Sequence, residues 1–172
     1  QKLVWRQRRI CTWPGPACST GEGGASVFPH TVTLYNVSVE IDPATMKETT
    51  VNHITVLEGV LLDAVKGKNV NESGLVDADA VALYIPTNAS TDGVTGEKKR
   101  YVGPVEFWNG DSRDGMWTLS PGQNTFFVKG KAIHPDWSSQ KISAAYDYVY
   151  DVKTVDFKDF GGEMPHWEVG GA

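Results

Sequence analysis

After residue 27 apolar and polar positions alternate along most of the chain, the two-residue period of strands with one face buried. Residues 31–41 open the pattern, with Val37, Val39 and Ile41 in strict period two and Asp42-Pro43 as the turn that ends it. Residues 53–65 keep the same β-rich composition around Gly59, the mark of a bulge or sharp corner. In residues 78–85, Val81, Leu83 and Ile85 share one face and Ala80, Ala82 and Tyr84 the other, until Pro86 stops the strand. Residues 88–99 have the small polar composition of an exposed loop. Gly-Pro, Asn-Gly, Asp-Gly and Pro-Gly pairs across 101–124 then force repeated turns, with room for short strands at 105–108 and 116–119. So long a loop-rich stretch is where a functional surface is expected.

The last third adds two strands that must pair across a helical insertion. One is the apolar run at 125–130 and the other holds Val152 and Val155. Between them, residues 138–148 read as a helix, with Asp136 or Ser138 as cap and Ile142, Ala145, Tyr146 and Val149 at helical spacing. A terminal strand carries Trp167. One short helix among many strands predicts a mainly β fold, a small β-barrel with long loops.

A chain of 172 residues fits one domain and can bury about 70% of its unfolded surface. Its 40% hydrophobic and 22% charged residues are ordinary for a globular body. A net charge of −5 argues against a nucleic-acid binder and no apolar run spans a bilayer, so protein partners are expected. The pattern divides the chain at 26/27, an irregular tail (1–26) before a single β domain (27–172). The tail carries Arg6, Arg8 and Arg9 with no apolar segment of a signal peptide after them. Cys11 and Cys18 flank a Pro-Gly-Pro turn and read as free thiols or a local disulfide. Gly21-Glu22-Gly23-Gly24 is what a purine-rich ribosome-binding site would spell if translated, which predicts a native start at Val27.

Gly110-Asp111-Ser112 resembles an esterase nucleophile block, but Asn-Gly and Asp-Gly pairs flank it, the strand-to-helix elbow is broken at Asp114, and the sequence reads better as a polar turn. His30, His53, His134 and His166 are scattered, without zinc spacing, and the acidic loop 109–114 misses the calcium-loop frame. No metal or cofactor is expected. Asn36, Asn71 and Asn88 begin N-x-S triplets that chance explains. The candidate interface residues are the aromatics Trp108, Trp117 and Trp137, together with His166 and Trp167, which can close a barrel end or anchor a partner.

Residues 151–156 (DVKTVD), Asp-Phe-Gly-Gly at 159–162 and residues 164–171 (MPHWEVGG), preceded by residues 125–130 (TFFVKG), resemble the C-terminal signature of small proteins from prophage structural gene clusters. The likeness covers residues 27–171 and is similar in layout to head-closure, head–tail connector and minor capsid proteins. It implies an SH3-like or related β-barrel with one short helix, non-enzymatic, forming a homo-oligomeric ring. The partners it implies are portal or adaptor, tail-completion or capsid proteins, in the virion and, during assembly, in the bacterial host cytoplasm. It carries no catalytic residue and no sequence-specific nucleic acid. Two other classes compete. A binding module for carbohydrate or peptide would use Trp108, Trp117 and Trp137 as a stacking platform, and a hydrolase would place Ser112 beside a histidine.

Overall fold

The computed structural model describes residues 27–65, 68–71, 74–77, 80–122, 124–159, 161–162 and 164–172. The tail 1–26, with the expectations for Cys11, Cys18 and a start at Val27, lies outside them, as do residues 78 and 79 at the head of the expected third strand. In chain order the elements are β1 (His30–Ile41), β2 (Glu48–Val65), β3 (Lys68–Asn71), β4 (Gly74–Asp77), β5 (Ala80–Pro86), β6 (Ser90–Asp92) and β7 (Arg100–Tyr101). Then come α1 (Pro104–Asn109), β8 (Met116–Trp117), β9 (Thr125–Lys129), α2 (Ser139–Ala145), β10 (Val149–Lys158) and β11 (His166–Gly171).

The fold is mainly β, as the alternation predicts. The main sheet runs β1-β9-β10-β11-β5-β2, and antiparallel pairing of β1 with β2 closes it into a ring. β9 and β10 pair across α2, with Val128 opposite Val149, and β11 pairs with β10 on one side and β5 on the other. β5 and then β6 run antiparallel to β2, Leu61 opposite Tyr84 and Glu58 opposite Ser90. The register between β1 and β2 skips Gly59, which sits at φ +79°. This is a bulge in the left-handed region that glycine adopts without strain, and it bends β2 between its two partners.

Side chains fill the ring. Val32, Leu34, Leu57, Leu83, Ile85, Phe127 and Val169 point inward and are fully buried, and Trp117 and Leu119 join them. A second cluster of Tyr35, Ile54, Phe126, Val128, Ala132 and Ile142 covers the outer face of β1 and β9 beneath α2. β1 and β9 are therefore buried on both faces over the same stretch. Ser138 caps α2, its hydroxyl accepting from the Lys141 N–H at 3.3 Å, and Ile142 is the one helical side chain that buries. α2 ends at Ala145, with Tyr146 as its extended C-cap, short of the predicted residue 148, and Val149 already belongs to β10.

Two local expectations change. Residues 105–108 are not a strand but the middle of α1, so the described residues hold two helices rather than one. Gly103 precedes the helix, Pro104 occupies its first turn and Glu106 follows, a start sequence that outweighs a four-residue alternation with only Phe107 buried. The period-two set Val37, Val39 and Ile41 also splits. Val37 is half-buried against the second cluster, whereas Val39 and Ile41 are 59% and 57% exposed, and the ring core is filled from the opposite face of β1 by Val32 and Leu34.

Candidate interaction surface

The exposure of Val39 and Ile41 belongs to an arm. β1 and β2 pair from His30–Val60 out to Ile41–Glu48, but every residue from 39 to 50 is exposed, so the ribbon runs on past the core as a hairpin. Its turn is built by Asp42. The carboxylate accepts from the Ala44 N–H at 2.9 Å and the Thr45 hydroxyl at 2.6 Å, and the Asp42 carbonyl accepts from the Met46 N–H at 2.8 Å. The Thr45 hydroxyl, and then the Ala44 N–H, hold the Asp42 carboxyl below the usual carboxylate range. Met46, at φ +53°, completes the turn and is 77% exposed.

At the base of the arm lies an open groove. One part, about 520 Å³, is lined by Val37, Thr50, Asn52, Trp137 and Ser138; the other, about 410 Å³, by Val37, Asn124, Phe126, Asp151 and Lys153; Ser139 borders both. The Asn52 amide secures the far wall, donating to the carbonyls of Pro135 at 2.9 Å and Trp137 at 2.7 Å. Tyr35 does the same from beneath, its hydroxyl donating to the Ala132 carbonyl and accepting from the His134 N–H. Burial raises the Tyr35 pKa, which keeps that hydroxyl a donor.

Of the five sequence-predicted interface residues the structure brings only Trp117 and Trp167 together, inside the ring, and they do not form one surface. Trp117 is 2% exposed inside the ring, with Tyr101 at 5.1 Å and Trp167 at 6.0 Å, so it has no surface to offer. Trp108 is half-buried on α1, edge-on to Phe107, and its carbonyl accepts from Arg113 at 3.1 Å. Trp137 lines the groove, but His134 stacks on its ring at 3.8 Å and the Lys141 ammonium sits 4.4 Å from its centroid. With an imidazole flat on one face, the ammonium must take the other, so only the ring edge is open. A three-tryptophan stacking platform is therefore not assembled. His166 and Trp167, adjacent on β11, face opposite ways. Trp167 shares the inward parity of Val169 and packs on Tyr101 and Phe157, as a barrel plug would, while His166 lies by Tyr84, its Nδ1 2.9 Å from the Met164 carbonyl.

The chemical candidates resolve differently. Ser112 is exposed, and its hydroxyl lies 3.3 Å from the Asp114 carboxylate and accepts from the Asp114 N–H. The serine beside a histidine is Ser38, whose Oγ is 2.9 Å from His53 Nε2 across the β1–β2 ladder. Burial, then Arg113 and Lys99, hold His53 below its ordinary value and therefore neutral. Ser38, however, is 6% exposed, and among the described residues no hydrogen bond ties the other His53 nitrogen to a carboxylate. The pair reads as a satisfied buried contact. Asn36 is fully buried, so its glycosylation triplet is inaccessible in the folded protein. Among the described residues no cluster of three or more His, Cys, Asp or Glu could hold a metal ion, and no helix is long and apolar enough to cross a membrane.

The sequence pointed to the tryptophans and passed over the arm. Its signal was present in Asp42-Pro43 followed by β-branched Thr49, Thr50 and Val51, the return strand of a hairpin. Residues 28–172 match the family of unknown function DUF6751, and the chain belongs to it. No curated protein and no solved structure matches the chain.

Proposed function

We propose, for this member of a family whose function is unknown, a non-enzymatic structural role as a subunit that docks into a larger virion assembly. The position that fits is a head–tail connector of the head-closure kind, or a minor capsid component, of a tailed phage or prophage. The observation that carries the reading is the arm, with Val39, Ile41 and Met46 presented to solvent beyond a ring whose interior is already filled. Exposed apolar side chains on a projecting hairpin gain free energy only when another surface covers them. A rigid body with one extended arm suits head-to-tail contacts, in which one surface of a subunit meets a different surface of the next. The choice of a virion over other assemblies rests on the resemblance of residues 151–171 to prophage structural-cluster proteins.

The test is co-expression of the chain with portal, adaptor and capsid proteins of a tailed phage or prophage from the same genome, followed by purification and negative-stain electron microscopy. The expected result is co-purification in a ring-shaped or capsid-bound particle. Recovery of the chain alone, with no particle containing it, overturns the reading. The alternative, a β-sheet module for carbohydrate or peptide, draws on the groove beside Trp137, and saturable binding on a glycan or peptide array would favour it.

A further inference from the structure

We infer that residues 103–114 form a flap that acid opens, because a proton taken up by His53 beneath them sets a third cation beside Arg113 and Lys99. The device is built into this chain alone and does not rest on the assembly reading above.

The flap is closed at its neck and seated by one ring. β7 and β8 pair in parallel, the Arg100 N–H donating to the Gly115 carbonyl at 2.8 Å and the Val102 N–H to the Trp117 carbonyl at 3.0 Å, so the two ends of the loop are tied together. Exposed Glu106 pairs with Arg100 at 3.4 Å, again at the neck. Within α1, Phe107 is the side chain that buries, and its ring meets His53 edge-on at 5.9 Å. A compact loop with clasped ends and one aromatic anchor opens as a local unit, without parting the strands of the ring.

His53 sits where several elements meet. From β1 come Ser38, its Oγ 2.9 Å from His53 Nε2, and Glu40; from the flap come Phe107, Arg113 and Asp114. Lys99, just before β7, reaches in from the side, its Nζ donating at 2.8 Å to the carbonyl of Ile54, the residue after His53. Burial is the largest effect opposing a charge on His53, Arg113 and then Lys99 add to it, and Glu40 and Asp114 work the other way. Both carboxylates are exposed, so water screens them, whereas His53, Arg113 and Lys99 are half-buried. Arg113 belongs to the flap, donating to the Trp108 carbonyl at 3.1 Å, while its Nε is buried with no acceptor among the described residues. Lifting the flap takes Phe107 and Arg113 off the imidazole together, relieving burial and repulsion at once. The open form therefore binds a proton more tightly than the closed form, and linkage requires acid to favour opening. With an open value of 6.5, going from pH 7.5 to pH 5 raises the open population by at most about thirtyfold. Uncovered, Phe107 joins Val105, already 74% exposed, and half-buried Trp108 in an apolar patch offered in acid.

The experiment is hydrogen exchange of the full chain at pH 7.5 and pH 5, corrected for the intrinsic pH dependence of exchange and repeated across urea concentrations below the unfolding transition. A six-residue helix unravels off its support, so the N–H groups of Phe107 and Gly110, which donate to the Gly103 and Glu106 carbonyls, count the openings. In wild type their exchange is expected to rise about tenfold at pH 5 and to stay flat across low urea, as local opening does, while exchange in β1 and β9 rises with urea. His53→Gln is expected to abolish the pH response, and Arg113→Gln to reduce it at least twofold. An unchanged rate in wild type, or an undiminished response in either variant, overturns the inference. So does flap exchange at pH 5 that climbs with urea in step with β1 and β9, because the whole body is then unfolding. That comparison needs wild type alone and decides the matter should circular dichroism show that a variant does not fold.

Discussion

Asn36 shows how much one buried polar side chain can organise here. Its amide donates to the Thr118 carbonyl at 3.0 Å and to the Thr125 hydroxyl at 3.2 Å, while its Oδ1 accepts from the Thr118 N–H at 3.4 Å. A side chain of β1 thus stands in for a strand partner and pins the segment carrying Trp117 and Leu119 inside the ring. Asn36→Ala would strand both backbone groups of Thr118 without solvent, and urea unfolding should show a loss of about 3 kcal/mol. His53 makes a second prediction. Its folded pKa lies below the unfolded 6.5, so between those two values the unfolded chain binds more protons and stability rises with pH. The His53 contribution is complete above pH 6.5 and declines as pH falls towards the folded value. Urea midpoints at pH 7.5 and pH 5 should therefore differ more for wild type than for His53→Gln, and equal differences would exclude the mechanism. Neither role was legible in the sequence. Asn36 showed only as a glycosylation triplet and His53 only as a scattered histidine, because both roles depend on cross-strand partners that periodicity does not identify.

Elements were more legible than residues, for reasons visible in particular cases. The pairing of β9 with β10 across α2 could be read because both strands hold strong apolar runs and Ser138 marks a helix start. α1 was misread because four residues cannot distinguish a two-residue period from a helical turn, and Gly103-Pro104 was taken for a turn alone. The arm was misread because alternation reports which side chains share a face but not whether anything covers it. Val39 and Ile41 continue the pattern that Val37 begins at the edge of the second cluster and yet leave the body. Gly59 was read correctly as a corner. A Cβ there meets nothing within 4 Å, so Gly59→Ala tests backbone conformation alone, and at φ +79° it should cost about 1 kcal/mol in thermal or urea unfolding. A neutral substitution would mean that β2 does not need this bend.

At the scale of the whole molecule, closure of the ring gives most of its strands a partner on both sides, and β1 beyond Val37 is one of the places where ladder bonding is unfinished. The C-terminus takes part in closure too, because Ala172 and Asp151 exchange backbone hydrogen bonds and Gly171 leaves no room for a Cβ between Val81 and the Asp151 carbonyl. The neighbours of β1 are thus its immediate successor β2 and the distant β9, and β5 waits for β11 at the very end. During synthesis the ribosome delivers the β1–β2 ribbon long before the strands that cover Val32, Leu34, Leu57 and Val60. A nascent chain must carry that uncovered surface until β11 has been made, so the ring cannot close before then and holding chaperones have a defined target in β1 and β2. A stop codon before residue 166 would release an open sheet, because β11 is what bridges β10 and β5.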